Sequence, residues 1–187
     1  MTDTPAGDLR LFFAIFPPPA VAARLAEAAA AIQPRCGGRI ARAANLHLTL
    51  AFLGRATPEQ AEELAALTRA TAAPDGAFTL DRYGAFPGAH AVWAGPDPDS
   101  AGAGQLRELA DGLWRRLRPL GWPGPDVSPL RPHVTLLHKA ERLAVDGLAL
   151  APLRWRHRGY ALAASQPGPE GSVYRILART AQGAAQN

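Results

Sequence analysis

The sequence predicts an α+β protein of 187 residues that is built from two similar halves. Segments with strand and helix patterns follow one another along the chain. Each half also contains one copy of a four-residue pattern, which is His, an aliphatic residue, Thr and Leu. The two copies lie in NLHLTLAFLG (Asn45–Gly54) and RPHVTLLHKA (Arg131–Ala140). We therefore expect one domain over residues 1–187, with two lobes that each carry one motif.

The first half has the pattern strand, helix, strand, helix. Its predicted elements are a buried strand Leu9–Phe16, an Ala-rich helix Pro19–Gln33, a strand Leu46–Gly54 and a helix from Thr57 to about Ala72. The first strand ends at three consecutive prolines, which cannot continue a sheet ladder. The last helix begins with Thr57, Pro58 and Gln60, a sequence typical of a capped helix start.

The second half has more strands and one amphipathic helix. Its predicted elements are two strands around a turn at Pro87–Gly88, a helix Gln105–Leu120, a strand His133–His138, and two closing strands over Pro152–Ser165 and Ser172–Thr180. Five leucines between residues 106 and 120 recur at helical spacing and predict the buried stripe of the helix. The arginines on its opposite side are interpreted as a solvated surface.

Composition restricts the partners and the compartment. The net charge is +4, and 19 of the 20 basic residues are Arg, a choice that reflects mainly a GC-rich codon usage. The positive sign still favours an anionic partner. Cys36 is the single cysteine, which excludes an internal disulfide framework and a cysteine-based zinc site. With no signal-peptide pattern and no long apolar run, we expect a cytoplasmic protein without membrane contact.

The two motifs place polar side chains on one face of a strand. Side chains two residues apart in a strand point the same way, so His47 lies on the same side as Thr49, and His133 on the same side as Thr135. The intervening aliphatic residues then point into the core. This alternation predicts two half-buried strands that line a common cleft.

Two histidines and two threonines suit in-line displacement at phosphorus. An imidazole titrates near neutral pH, so one ring can act as a base while the other acts as an acid. The Thr hydroxyl groups can donate hydrogen bonds to the non-bridging oxygens as charge develops on them. This chemistry needs no metal ion and no cofactor, and a strained cyclic phosphate is a natural substrate for it.

Other interpretations of the motifs are weaker. One His–x–Thr pair alone is more typical of a core histidine than of a catalyst, but two copies in apolar strands differ from that case. A nucleotide-binding module without catalytic activity would not need two proton-transfer groups. A metal hydrolase predicts carboxylates beside the histidines, and neither motif contains one.

Four segments together resemble the two-histidine (2H) phosphoesterase superfamily, and specifically its RNA 2′,3′-cyclic phosphodiesterases, the 2′-5′ RNA ligase-like family. They are RLFFAIFPP, NLHLTLAFLG, RPHVTL and SVYRIL. The resemblance implies antiparallel sheets that flank a central cleft, with helices outside. It also implies hydrolysis of a terminal 2′,3′-cyclic phosphate to a 2′-phosphate without metal or cofactor. The partner would be an RNA end or a nucleotide, and we expect a monomer.

By motif position, the resemblance implies that His47 and His133 are catalytic and that Thr49 and Thr135 bind the phosphate. We assign His47 provisionally as the acid and His133 as the base, although the sequence leaves this polarity open. Other cyclic phosphates and 2′-5′-linked oligonucleotides are alternative substrates within the same superfamily.

The second motif departs from the family pattern at one position. Relatives often read HVTLAR, whereas this chain reads HVTLLH, so His138 stands in place of an Arg. We include His138 as a phosphate-binding candidate, with Lys139 as a possible substitute. Strict alternation from His133 turns His138 away from the cleft unless the strand twists or ends near Leu137. The same rule turns Phe52 away from His47.

Overall fold

The computed structural model of the protein describes residues 9–125, 130–168 and 171–182. The first half contains strands β1 (Leu9–Ile15), β2 (Arg39–Ile40), β3 (Leu48–Ala56) and β4 (Ala72–Ala73), and helices α1 (Pro19–Cys36) and α2 (Pro58–Ala70). The second half contains strands β5 (Asp75–Phe86), β6 (Ala91–Gly95), β7 (Val134–His138), β8 (Ala149–Arg158), β9 (Ala161–Gly168), β10 (Gly171–Arg179) and β11 (Ala181–Gln182), and helix α3 (Ala101–Leu117). Residues 126–129, which precede the second motif, lie outside the described residues.

Two antiparallel sheets form the two lobes. The four-stranded sheet has the order β10-β9-β1-β3, and the five-stranded sheet has the order β2-β7-β6-β5-β8. A short parallel pair, β4 with β11, stands apart from both. The first motif enters the four-stranded sheet on β3, and the second motif enters the five-stranded sheet on β7. The predicted α+β fold with two lobes and one motif in each is therefore confirmed.

One continuous hydrophobic core joins the two lobes. It includes buried residues from both large sheets and from all three described helices. Helix α2 contacts β9 and β10, α1 contacts β7 and β8, and α3 contacts β3 and β5. Each sheet therefore has one face against this core, which leaves its opposite face to form the cleft.

The helix starts follow local capping chemistry. Thr57 and Gln60 form the predicted capping box: the Gln60 backbone N–H donates to Thr57 Oγ1, and the Thr57 backbone N–H donates to Gln60 Oε1 over 2.9 Å. Helix α3 begins four residues before the prediction because Ser100 Oγ accepts a hydrogen bond from the Ala103 backbone N–H. Such caps satisfy N–H groups that have no partner within the helix.

Two further sequence-based element boundaries were wrong for identifiable reasons. Helix α1 continues through Pro34 to Cys36 and ends where Gly37 adopts a φ of 68°. The predicted first closing strand is two strands, β8 and β9, because the chain turns at Gly159 with a φ of 62°. A left-handed φ is accessible mainly to glycine, so each glycine allows a break that the surrounding hydrophobic pattern conceals.

Candidate active site

The two motifs face a common cleft on adjoining strands. Strand β3 contacts β7, and His47 and His133 each stand immediately before their strand. Both histidines and both motif threonines are half-buried, whereas the aliphatic residues between and after them are buried. The predicted alternation therefore holds through each motif, with one side in the core and the other in the cleft.

Both imidazole rings are held by the same local hydrogen bond. His47 Nδ1 lies 2.7 Å from the carbonyl oxygen of Asn45, and His133 Nδ1 lies 2.8 Å from the carbonyl oxygen of Arg131. A carbonyl oxygen only accepts, so Nδ1 carries the proton and donates in each ring. In the neutral ring the remaining nitrogen, Nε2, is then a free acceptor. The two motifs thus present equivalent nitrogens for proton transfer.

The Asn45 side chain fixes the segment that carries His47. Its Nδ2 donates a 2.7 Å hydrogen bond to the carbonyl oxygen of Ser172 on β10. Strands β3 and β10 are opposite edges of the four-stranded sheet, so this bond ties the start of β3 across the cleft face of the sheet. Sequence reasoning did not identify this role, because it depends on a contact 127 residues apart.

Aromatic rings form a wall around His47. Its ring centroid lies 5.0 Å from that of Phe12, 5.9 Å from that of Phe16 and 5.1 Å from that of Tyr174, the last nearly perpendicular. These rings pack with Ala14 and Ala163 in a small cluster separate from the main core. The wall shields one side of the imidazole from water and restricts its orientation.

His133 has a matching aromatic environment in the other lobe. Phe86 meets it edge-on at a centroid distance of 4.8 Å, and Trp93 lies 6.1 Å away. The indole of Trp93 lies against Gly84, where an added Cβ would overlap its ring. The absence of a side chain at Gly84 therefore lets the Trp93 indole pack against the backbone beside His133.

Burial and neighbouring positive charge both favour the neutral imidazoles. Burial lowers the pKa of His47 below the ordinary 6.5, and the charges of His133 and His138 lower it further; the hydrogen bond with Asn45 acts in the opposite direction. Burial also lowers the pKa of His133, and Arg131 adds to that effect. The charge of His133 therefore acts on His47, which indicates that the two rings lie near each other.

A β-bulge at the last residue of each motif changes which residues face the cleft. On β3, Thr49 pairs with Ala14 and Ala51 with Phe13, so Leu50 is an extra residue. On β7, Thr135 pairs with Trp93 and Leu137 with Val92, so Leu136 is the corresponding extra residue. An extra residue shifts the alternation of side chains by one position.

The bulges correct the expectation from strict alternation. Phe52 pairs directly with Phe12 of the aromatic wall and is 53% exposed, so it lies on the cleft side and not away from it. His138 occupies the equivalent position after the second motif. It is half-buried, and its charge lowers the pKa of His47, which places it on the cleft side as well. Burial lowers the pKa of His138, and the charge of Arg39, its partner in β2, lowers it further.

A cavity of about 510 Å³ opens between the motifs. Thr49 and Phe52 line it from β3, His133 lines it from the second motif, and Trp122 and Leu130 close its outer side. This volume lies within the usual range for small-ligand sites, about 300–1,000 Å³. Of the two histidines and two threonines, Thr49 and His133 line this cavity, whereas His47 and Thr135 do not. The cavity can therefore hold a small ligand beside Thr49 and His133.

The remaining sequence candidates lie at the edge of the cleft or outside it. The Arg131 guanidinium stacks over Phe86 at 5.6 Å, and Lys139 is exposed with a left-handed φ of 53° just after β7. His90 is exposed. His157 is half-buried against Phe78 and lines a different cavity. Within the described ranges, no group of three His, Cys, Asp or Glu side chains could hold a metal ion.

These features define a two-histidine phosphoesterase: two lobes with one His–x–Thr motif each, and both motifs directed at one cleft. The sequence profile described as LigT like Phosphoesterase matches residues 15–93, a range that includes the first motif. RNA 2′,3′-cyclic phosphodiesterase of Thermus thermophilus is 34% identical over 90% of this chain and 88% of its own length. The chain belongs to the LigT-like phosphoesterase family.

Other relatives agree with this family assignment. RNA 2′,3′-cyclic phosphodiesterase of Escherichia coli is 35% identical over 70% of this chain and 72% of its own length. The crystal structure of E. coli LigT complexed with 3′-AMP superposes with a TM-score of 0.71 and 29% identity, over 90% of this chain and 95% of that one. A crystal structure of a Thermus thermophilus protein gives a TM-score of 0.70 at 32% identity, over 90% and 94% of the two chains.

The coupling between the rings predicts how they titrate. We expect NMR titration to give His47 and His133 pKa values below 6.5, and His133→Gln to raise the pKa of His47 because a repelling charge is lost. His157→Gln is the matched control and leaves the His47 pKa in place. An unchanged His47 pKa in His133→Gln would show that the charge of His133 does not act on His47.

The lowered pKa values of His47 and His133 also predict that the free energy of unfolding falls as the pH drops below about 6.5, because the unfolded chain then binds more protons than the folded protein.

Proposed function

We propose that this protein hydrolyses the 2′,3′-cyclic phosphate of RNA ends or nucleotides to the 2′-phosphate. The observation that carries this proposal is the pair of motif imidazoles on the contacting strands β3 and β7, each with Nδ1 bound to a carbonyl oxygen and Nε2 left for proton transfer. The activity named for the T. thermophilus and E. coli relatives supports it. Both motifs come from one chain, so the reaction needs no second copy, and the single buried thiol of Cys36 suits the cytoplasm.

The proposed reaction is one in-line displacement. Water attacks the phosphorus while His133 Nε2 removes its proton, and the bond between phosphorus and O3′ breaks on the opposite side. His47, in its protonated form, donates the Nε2 proton to O3′, so the product carries a 2′-phosphate and a free 3′-hydroxyl. Proton transfer of this kind needs groups that titrate near the working pH. The opposite assignment of the two histidines describes the reverse reaction.

The motif threonines hold the phosphate in this proposal. Thr49 and Thr135 are half-buried on the cleft side, next to their histidines. Their hydroxyl groups would donate hydrogen bonds to the non-bridging oxygens, which carry more negative charge in the transition state than in the substrate. Donors fixed before the reaction stabilise that charge without reorganising.

Metal-independent turnover is the first test of the proposed activity. We expect purified protein to cleave nucleoside 2′,3′-cyclic phosphates and RNA with a cyclic phosphate end at the same rate in EDTA as in buffer alone. Chromatography of the products should give the 2′-phosphate and not the 3′-phosphate. Binding of these substrates without turnover would instead favour a nucleotide-binding module. Turnover restricted to 2′-5′-linked oligonucleotides would redirect the substrate assignment within the superfamily.

The catalytic roles predict a large loss of rate from single substitutions. His47→Ala and His133→Ala should each lower the rate by about 10²-fold or more, the lower range for general acid–base catalysis. Thr49→Val and Thr135→Val should each cost less, because the other hydroxyl still holds the phosphate. His90→Ala, on an exposed turn, is the control and should keep the full rate. Near-full activity of either motif variant would remove that histidine from the mechanism.

His138 predicts a phosphate affinity that depends on pH. Its lowered pKa leaves the ring largely neutral at pH 8, so it then contributes no positive charge to the phosphate. We expect His138→Arg to tighten binding of a nucleoside 2′-phosphate about tenfold at pH 8, the effect of one added charged hydrogen bond. The difference between the two proteins should shrink as the pH is lowered and the His138 ring takes up a proton, as measured by calorimetry. Equal affinity at pH 8 would show that this position does not contact the phosphate.

A further inference from the structure

Three arginines form a regular row on the face of β8 that points away from the core. Arg154, Arg156 and Arg158 are exposed, whereas Leu153 and Trp155, which alternate with them, are buried in the core, and His157 is half-buried. Alternate residues of a strand point to one face, so the three guanidinium groups leave the sheet on the same side. Strand β8 is an edge of the five-stranded sheet, so this row, the arginine ladder, lies open to solvent.

The arginine ladder carries largely uncompensated charge. In the part of the chain that the structure describes, none of its three guanidinium groups forms an ion pair. Their direct partners across the sheet on β5 are Thr79, Ala77 and Asp75. Asp75 opposes Arg158, while the other two arginines face neutral residues. The surface arginines of the helices differ: Arg24 contacts Glu27, and Arg69 contacts Glu62.

The arginine ladder continues towards the active site. Arg156 and Arg158 line a cavity of about 350 Å³ together with Arg179, Ala14 and Phe16. The Phe16 ring lies 5.9 Å from the His47 ring, and Ala14 pairs with Thr49. Positive charge therefore extends from the outer end of β8 to the aromatic wall that holds His47.

The spacing of the arginine ladder suits a polyanion with a regular repeat. Residues two apart in a strand are about 6.8 Å apart, comparable with the separation of successive phosphates along an extended nucleic-acid strand. Arg is the side chain best suited to phosphate, because its planar fork donates two parallel hydrogen bonds. Grooves that bind single strands without sequence preference combine such a basic track with aromatic side chains.

We propose that the arginine ladder binds the backbone phosphates of an RNA strand whose cyclic phosphate end lies in the cleft. This inference rests on the proposed function and makes it more specific: the preferred substrate is a strand of several nucleotides, not a mononucleotide. The strand enters past Arg179 and Phe16, and the arginines neutralise phosphates behind the reacting end. The ladder supplies affinity and positioning, while the histidines perform the chemistry.

The test compares two substrates in two matched triple variants. The ladder variant is R154Q/R156Q/R158Q, and the control, R24Q/R69Q/R115Q, removes the same charge from the outer faces of the helices. We expect the ladder variant to lose about tenfold or more in kcat/KM for a short oligoribonucleotide with a cyclic phosphate end, since each charged hydrogen bond contributes appreciably. Its activity on a mononucleoside 2′,3′-cyclic phosphate should stay within twofold of wild type, and the control should match wild type on both substrates.

Salt dependence gives a second measurement that does not require turnover. Binding of an unreactive oligoribonucleotide with a terminal phosphate should weaken with salt, and the slope of log K against log salt should be smaller by about 2 in the ladder variant, as expected for three lost contacts with a single strand. If the triple variant fails to fold, the single variant R156Q should reduce that slope by about 0.7.

The outcomes separate the arginine ladder from the proposed function. Equal losses of kcat/KM on both substrates would contradict RNA binding by the arginine ladder. Equal salt slopes in the ladder and control variants would contradict it as well. A wild-type protein that hydrolyses neither substrate but shows the ladder-dependent salt slope would overturn the proposed function alone. Tighter binding of an acidic peptide than of the oligoribonucleotide would also overturn the ladder's assignment to RNA.

Discussion

Each of the two motif strands lies between two environments, the hydrophobic core and the cleft. One side of β3 and of β7 is buried in a core that both lobes share, and the other side faces the cleft. Burial of Leu48, Val134 and Leu136 stabilises the fold by about 1.5–3 kcal/mol for each large side chain. Because a slip of one residue would turn the leucines outward, this burial also fixes the positions of the histidines and threonines on the opposite side. The geometry of the site is thus a consequence of packing in the core.

The histidines occupy an environment that disfavours their charged form. Aromatic rings partly desolvate both imidazoles, and each ring lies near other cationic groups. A phosphate anion between the rings would reverse this balance, since its negative charge favours a protonated imidazole beside it. In the proposed mechanism, a bound anion would therefore favour one protonated and one neutral imidazole. Substrate binding would then promote the protonation state that acid–base catalysis needs.

The two lobes use the same local devices at equivalent positions. Each motif histidine bonds to the carbonyl oxygen two residues before it, and each motif threonine precedes a bulge at a leucine. The bulge brings the third residue after the threonine to the cleft side, which is Phe52 in one lobe and His138 in the other. The first lobe thus places an apolar ring, Phe52, at this position of the cleft, and the second lobe places a titratable ring, His138, there. The two lobes differ at this position, and this difference makes the cleft asymmetric.

The sequence alone was sufficient for the fold class, for most of the elements and for the pairing of His47, Thr49, His133 and Thr135 in one cleft. Periodicity and a repeated motif report which side of a strand is polar, and both are local properties. The tertiary structure decided the direction of Phe52 and His138, because a bulge appears only when a strand is paired with its neighbour and an extra residue has no partner. It also decided the contact that Asn45 makes, the position of the aromatic wall and the placement of the arginine ladder relative to His47. Those features join residues that are far apart in the chain, and no local pattern records such contacts.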